Sequence, residues 1–62
     1  MRLITASELA NKSLSQLNAL YRMVSDELAE TEPNSSEREN MIASLRNIAR
    51  AIAALRLRAP HM

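Results

Sequence analysis

The side chains of this 62-residue chain that could take part in chemistry are few, and their spacing favours no reaction. Asp26, Glu27 and Glu30 fall within about one helical turn of one another, but no histidine lies near them. A two-metal site in a helical bundle needs Glu-x-x-His pairs, which the chain lacks. The single histidine, His61, follows Pro60 near the end, and the chain contains no cysteine and no glycine. We therefore predict no catalytic, metal-binding or cofactor-binding residue, and no enzymatic activity.

Three helix-start signatures divide the chain. In each, a hydroxyl can accept a hydrogen bond from the backbone N–H three residues later, while a Glu or Gln side chain reaches back to the N–H of the capping residue. The pairs are Thr5 with Glu8, Ser13 with Gln16, and Ser36 with Glu39. Ile4 and Leu9 flank the first cap at the spacing of a hydrophobic staple, which fixes how the chain enters a helix.

These signatures predict an all-α fold, with a short N-terminal helix at about residues 6–11 and then an antiparallel helical hairpin. The hairpin helices are predicted at about residues 14–31 and 36–58, and Pro33 lies in the turn between them. Asn11 is expected to adopt a left-handed conformation at the end of the first helix. Residues 1–62 are predicted to form a single small helical domain with a frayed tail at 59–62.

Each long helix carries an apolar stripe at steps of three and four, which is the spacing of one buried helical face. On the second helix the stripe is Leu14, Leu17, Tyr21, Val24 and Leu28. On the third helix it is Met41, Leu45, Ile48, Ile52 and Leu55, widened by Ile42 and Ala49. Tyr21, the only aromatic residue, is expected to pack in the core with its hydroxyl in water.

Several residues do not fit these stripes, and we predict that they bind a protein partner. Met23 lies outside the stripe of the second helix and Leu20 lies at its margin, whereas Leu57 falls between two arginines of the third helix. Large apolar residues and arginines are common anchors of protein interfaces. The alternative is that these are ordinary isolated surface residues. The predicted partner-binding residues are Leu20, Met23, Arg46, Arg50 and Leu57.

The charge pattern and composition limit the class of partner. The formal net charge is only +1, and six of the seven acidic residues cluster around the predicted turn, whereas four arginines and no acid follow Glu39. A weak net charge disfavours strong binding to phosphates, and a single aromatic disfavours stacking on single-stranded nucleic acid. No apolar run is long enough to span a membrane. We expect a cytoplasmic protein that binds another protein and no nucleic acid, membrane or cofactor. Self-association of the chain is compatible with this expectation.

Two segments resemble a known family. ITASELANKSLSQLNALYR (residues 4–22) and NSSERENMIASLRNIARAI (residues 34–52) are similar to the small helical antiactivators of the QseM type, from rhizobial integrative and conjugative elements. The resemblance implies a protein that binds and inhibits a quorum-sensing regulator of the LuxR family and an activator of conjugative transfer. It assigns no binding residue, because no specific motif can be mapped position by position.

The sequence leaves two other functions open. In a ribbon-helix-helix dimer, an antitoxin-like repressor that binds DNA, residues 1–5 would form the paired strand. The Thr5 cap and the staple between Ile4 and Leu9 argue against this, because they assign the segment to a helix start. The other function is that of a structural helical-hairpin subunit, which assembles through its apolar stripes.

Overall fold

The computed structural model describes residues 3–58, and in this part of the chain it contains three α-helices and no strand. α1 spans Ala6–Leu9, α2 spans Leu14–Ala29 and α3 spans Ser36–Arg58. The loop at residues 30–35 folds α3 back along α2, and α1 packs mainly on α3. The prediction of a short helix followed by a helical hairpin is thus confirmed, whereas the predicted tail at 59–62 lies outside the described residues.

The first two helices are shorter than predicted because both end in tight turns. After α1, the Lys12 N–H donates to the Leu9 carbonyl over 3.2 Å. After α2, the Thr31 N–H donates to the Leu28 carbonyl over 3.1 Å. Bonds between residues three apart belong to the narrower 3₁₀ geometry, so regular α-helix stops before these turns.

The first two predicted caps are present. The Thr5 side chain accepts from the Glu8 N–H over 3.4 Å and precedes α1. Ser13 and Gln16 form a complete capping box at the start of α2, with bonds of 3.1 and 2.8 Å. These local bonds satisfy backbone donors that have no partner inside a helix.

The third predicted cap is wrong by one residue. Ser35, rather than Ser36, accepts the Arg38 N–H with its hydroxyl over 3.1 Å, and the same hydroxyl donates to the Glu32 carbonyl. The preceding residue, Asn34, has φ 67° and is the only residue with positive φ in the described range. Asn11 therefore does not adopt the left-handed conformation expected of it, and the reversal occurs at Asn34 in the turn between the hairpin helices.

A small apolar core joins all three helices and the segment before α1. Its buried members are Ile4, Leu9, Leu17, Val24, Met41 and Ile48. Ile4 and Leu9 both contribute, as the predicted staple requires. Residues 4–9 therefore cover one side of the hairpin seam.

The buried faces differ from the predicted stripes at their flanks. Leu14 and Tyr21 are 39% and 40% exposed, so the expectation that Tyr21 packs in the core is wrong. On α3 the buried face widens toward Ser44 and Ala51, while Ala49 on the opposite flank is exposed. The reason is tertiary, because residues 4–9 cover only the flank that carries Ser44.

Two polar side chains of α3 hold the N-terminal segment in place. The Ile4 N–H donates to the hydroxyl of the fully buried Ser44 over 2.9 Å. The amide of Asn47 donates to the Ile4 carbonyl over 2.8 Å. Ser44 and Asn47 are three residues apart and thus neighbours on the helix surface, so together they engage both backbone groups of Ile4. We call this arrangement the Ile4 clamp.

Loss of the Ser44 hydroxyl should destabilise the protein. Ser44→Ala leaves the buried Ile4 N–H without its acceptor, which costs about 1–3 kcal/mol. Ser15→Ala, at an exposed position of α2, is the matched control. Urea denaturation followed by circular dichroism measures both variants. Equal free energies of unfolding for the two variants would show that the clamp contributes nothing.

The left-handed residue in the turn gives a second prediction. Asn34→Ala should lower the free energy of unfolding by about 1 kcal/mol, because a Cβ without a local polar group disfavours positive φ. Asn34→Gly should preserve or raise stability, since glycine accepts this conformation without steric conflict. Thermal denaturation of the two variants checks their order. If Asn34→Ala is as stable as Asn34→Gly, the turn does not require positive φ.

Candidate protein-docking groove

The side of the hairpin opposite residues 4–9 is left open and forms a shallow groove of about 590 Å³. The α2 and α3 side chains that line it are Asn18, Tyr21, Ala49, Ile52, Ala53, Arg56 and Leu57. We call this surface the open groove. Nothing in residues 3–58 covers it, because α1 packs on the other flank of α3.

The sequence of α3 explains its contribution to the open groove. A second set of residues, spaced alternately four and three apart, lies next to the buried face of α3. It is on the side of that face that is exposed. This set is Arg38, Ile42, Leu45, Ala49, Ile52 and Arg56. Leu45 and Ile52 pack partly against the core, whereas Ala49 is exposed. Alternating steps of four and three are the spacing with which one helix receives another.

The contribution of α2 has the same spacing. Leu14, Asn18, Tyr21 and Ser25 follow one another at steps of four, three and four. Asn18 is exposed and Ser25 is half-buried. The phenol of Tyr21 therefore forms part of the wall of the open groove, where an aromatic ring offers a large, rigid contact surface at low conformational-entropy cost.

The open groove is apolar with a positive edge. None of its seven lining residues is acidic, and Arg56 is the charged member. Within residues 3–58, no hydrogen bond or ion pair engages the guanidinium group of Arg56. This cation is therefore available to an acidic group on a partner.

The predicted partner-binding residues do not converge on one surface. Leu57 is 84% exposed and lines the open groove, whereas none of the other four does. Arg50 lines a separate cleft beside α1, and Arg46 is exposed on α3. Met23 is 47% exposed and lies with the half-buried Leu20 in a shallow depression that Lys12 also lines. Leu57 is therefore the one predicted residue that belongs to the groove.

The interpretation of the sequence missed Tyr21, Ala49 and Ile52 as residues of the open groove because it assigned them to the buried stripes. The signal that identifies Ala49 and Ile52 is the second set of steps in α3. A helix that carries two such sets can contact two different helices at once. Within residues 3–58, α3 packs against α2 and α1, and neither helix covers Ala49.

Asp26, Glu27 and Glu30 lie near the end of α2 and just after it. All three are exposed, and no group of three metal-ligating side chains occurs between residues 3 and 58. None of the three helices has both the length and the apolar character needed to cross a membrane, as far as the chain is described. His61 lies outside the described residues.

Comparison with known proteins gives no family assignment. No protein-family model matches the chain, and no curated protein or solved structure is significantly similar to it.

Substitution of Leu57 should leave the fold unchanged. Because the side chain is 84% exposed, Leu57→Gln should alter the free energy of unfolding by less than about 0.5 kcal/mol. Leu17→Gln, at a fully buried position, is the contrasting variant and should prevent cooperative folding. Circular dichroism and thermal denaturation measure both. Comparable destabilisation by the two substitutions would place Leu57 inside the core.

Proposed function

We propose that this protein is a non-enzymatic interaction module that binds and inhibits a transcriptional activator of quorum sensing or conjugative transfer. The observation that carries the proposal is the open groove, an apolar surface between two helices with the spacing that receives a third helix. The resemblance of residues 4–22 and 34–52 to antiactivators of the QseM type supports the choice of an activator as the partner.

The mechanism we propose is stoichiometric. An α-helix of the activator occupies the open groove and packs against Tyr21, Ala49 and Leu57. The activator then lacks a surface that it needs to bind DNA or RNA polymerase. No cofactor takes part, and the complex forms in the cytoplasm. The groove can act in this way without catalysing a reaction, because burial of apolar side chains drives association.

In residues 3–5, the described part of its predicted strand, the ribbon-helix-helix alternative receives no support. Residues 3–5 form no strand, and the Ile4 clamp engages both the N–H and the carbonyl of Ile4. An intermolecular ribbon requires free backbone groups at this position. A structural subunit that assembles with itself is the remaining alternative, and the oligomeric state of the purified chain tests it.

Repression of activator-dependent transcription tests the proposal. The chain is expressed in its native host with a reporter under the activator's promoter, as wild type, Ala49→Glu or Ala19→Glu. Both alanines are exposed on a long helix, but only Ala49 lies in the open groove. Ala49→Glu should abolish repression, because a charged side chain fills the place of the incoming helix, whereas Ala19→Glu should repress like wild type.

A second measurement addresses the mechanism. Added to a complex of the activator with its promoter DNA, the wild-type protein should release the DNA at about one equivalent and bind no DNA alone. Repression by Ala49→Glu that equals wild type would exclude the open groove. A salt-sensitive shift of DNA by the chain alone would favour a DNA-binding function instead.

A further inference from the structure

We infer that the cleft beside α1 binds a small anionic amphiphile, a molecule with an apolar chain of about eight carbons and a carboxylate or phosphate head group. The inference goes beyond the proposed function, because this cleft lies on the flank of α3 that residues 4–9 contact, away from the open groove. Three cations line it, Lys12, Arg50 and Arg58, and we call it the cationic cleft.

The floor of the cationic cleft is apolar and reaches the core of the protein. Leu9 and Leu17 are buried core residues, and Ala51, Ala54 and Leu55 beside them are half-buried. The two alanines leave a hollow next to α1, because their side chains are too short to fill the space that a leucine would occupy. An apolar chain placed in this hollow would remove apolar surface from water, which favours binding.

The size of the cationic cleft selects a small molecule. Its volume is about 280 Å³, and a compact space of that volume is about 8 Å across. An α-helix with its side chains is about 10–12 Å wide, so the cleft does not accommodate one. At about 30 Å³ per group the size of a water molecule, the cleft holds about nine such groups. That number corresponds to a chain of about eight carbons with its head group at the mouth.

The charges of the cationic cleft select an anion. Three of the eight lysines and arginines of the chain line it, and its lining contains no acid. Within residues 3–58, no hydrogen bond or ion pair engages the side chains of these three cations. Glu8 is the nearest acid in sequence to Lys12, but it does not line the cleft, and its carboxylate accepts from the Thr5 hydroxyl over 3.4 Å.

The position of the cations places the head group at the mouth of the cleft. Arg50 and Arg58 are exposed and Lys12 is half-buried, so the charges lie nearer to solvent than the apolar floor does. The hairpin brings the start of α2, which follows Lys12, beside the end of α3, where Arg58 lies. Carboxylate and phosphate oxygens are the acceptors that arginine and lysine bind most strongly.

Acidic side chains of a second copy are the competing source of negative charge. Asp26, Glu27 and Glu30 are exposed and could approach the cations of another molecule. Their side chains carry only one or two methylene groups, so they would pair with the cations at the mouth and leave the apolar floor uncovered. An amphiphile satisfies both the cations and the floor, and for this reason we favour it.

NMR titration of the labelled full chain tests the inference, with sodium octanoate and octyl phosphate as probes. Changes in amide chemical shift should concentrate at Leu9, Ala51 and Ala54 and should be small at Tyr21 and Ala49. Octan-1-ol, which lacks the charge, and acetate, which lacks the chain, should bind at least about tenfold more weakly. Binding of either anionic probe supports the inference, and the tighter one identifies the head group. Failure of both to bind, or equally tight binding of octan-1-ol, would overturn it.

Substitutions test the floor and the cations separately. Ala54→Leu should fill the hollow and weaken octanoate binding at least about tenfold, whereas Ala53→Leu, which lines the open groove, should change it less than about twofold. Arg50→Gln should weaken binding about fivefold. Its matched control is Arg46→Gln, an exposed position one turn earlier that does not line the cleft. Equal weakening by the two arginine variants would reflect general electrostatic attraction and would overturn the inference, even if Ala54→Leu fails to fold.

Thermal denaturation and sedimentation complete the test. Octanoate at about ten times its Kd should raise the Tm of the wild type by about 5 °C, because it binds only the folded chain. A dimer that Arg50→Gln dissociates and octanoate does not perturb would identify a second copy as the occupant and overturn the inference.

The outcome is independent of the proposed function. Ala49→Glu, the variant that blocks the open groove, should bind octanoate as tightly as the wild type does, since Ala49 does not line the cationic cleft. Failure of octanoate to bind would leave the reporter assay to decide whether the open groove is needed for repression.

Discussion

The Ile4 clamp is the interaction on which the shape of this protein depends. Ser44 is fully buried on the flank of α3 that residues 4–9 cover, where an unpaired hydroxyl would be costly. Its pairing with the Ile4 N–H removes that cost, and the Asn47 amide engages the carbonyl of the same residue. No buried side-chain nitrogen or oxygen in the described residues lacks a partner. The N-terminal segment is thus held on one flank of α3 by polar contacts as well as by apolar burial.

This contact makes the hairpin asymmetric. Residues 4–9 lie over one side of the seam between α2 and α3, beside a cleft that reaches Leu17, and Leu9 joins the core that the two helices share. The chain has no further described element over the other side, although the residues there have the spacing of a helix-packing surface. A chain this small buries few side chains, so a bound helix would add a large fraction to its apolar burial. The proposed function follows from that difference between the two sides.

Local signals in the sequence predict the elements well because they act over three or four residues. Thr5 and Ser13 cap their helices as expected, since a hydroxyl and a nearby N–H suffice for the interaction. The third cap shifts to Ser35 because Asn34 adopts positive φ and reverses the chain one residue earlier. Which of two adjacent serines becomes the cap is decided by the turn geometry, and that geometry depends on how the two helices meet.

The site is less predictable because it depends on how far each helix is rotated about its own axis. Leu14 and Tyr21 fit an apolar stripe as well as Leu17 does, yet only Leu17 is buried. On α3, the flank that is buried is the one that residues 4–9 contact from a sequence distance of about forty residues. Helical spacing alone could identify Leu57 as exposed, but it could not determine which flank of the hairpin remains open.

NMR tests the asymmetry of the hairpin most directly. Solvent paramagnetic relaxation enhancement is measured on the labelled full chain with a soluble gadolinium chelate. The account predicts strong relaxation enhancement at Ala49, Ala53 and Leu57, together with protection of Ile4, Leu9 and Ser44. Enhancement of Ile4 and Leu9 as strong as that of Ala49 would show that the segment does not cover its flank. Protection of both flanks in dilute solution would show that the groove is not open, and either result would contradict the account.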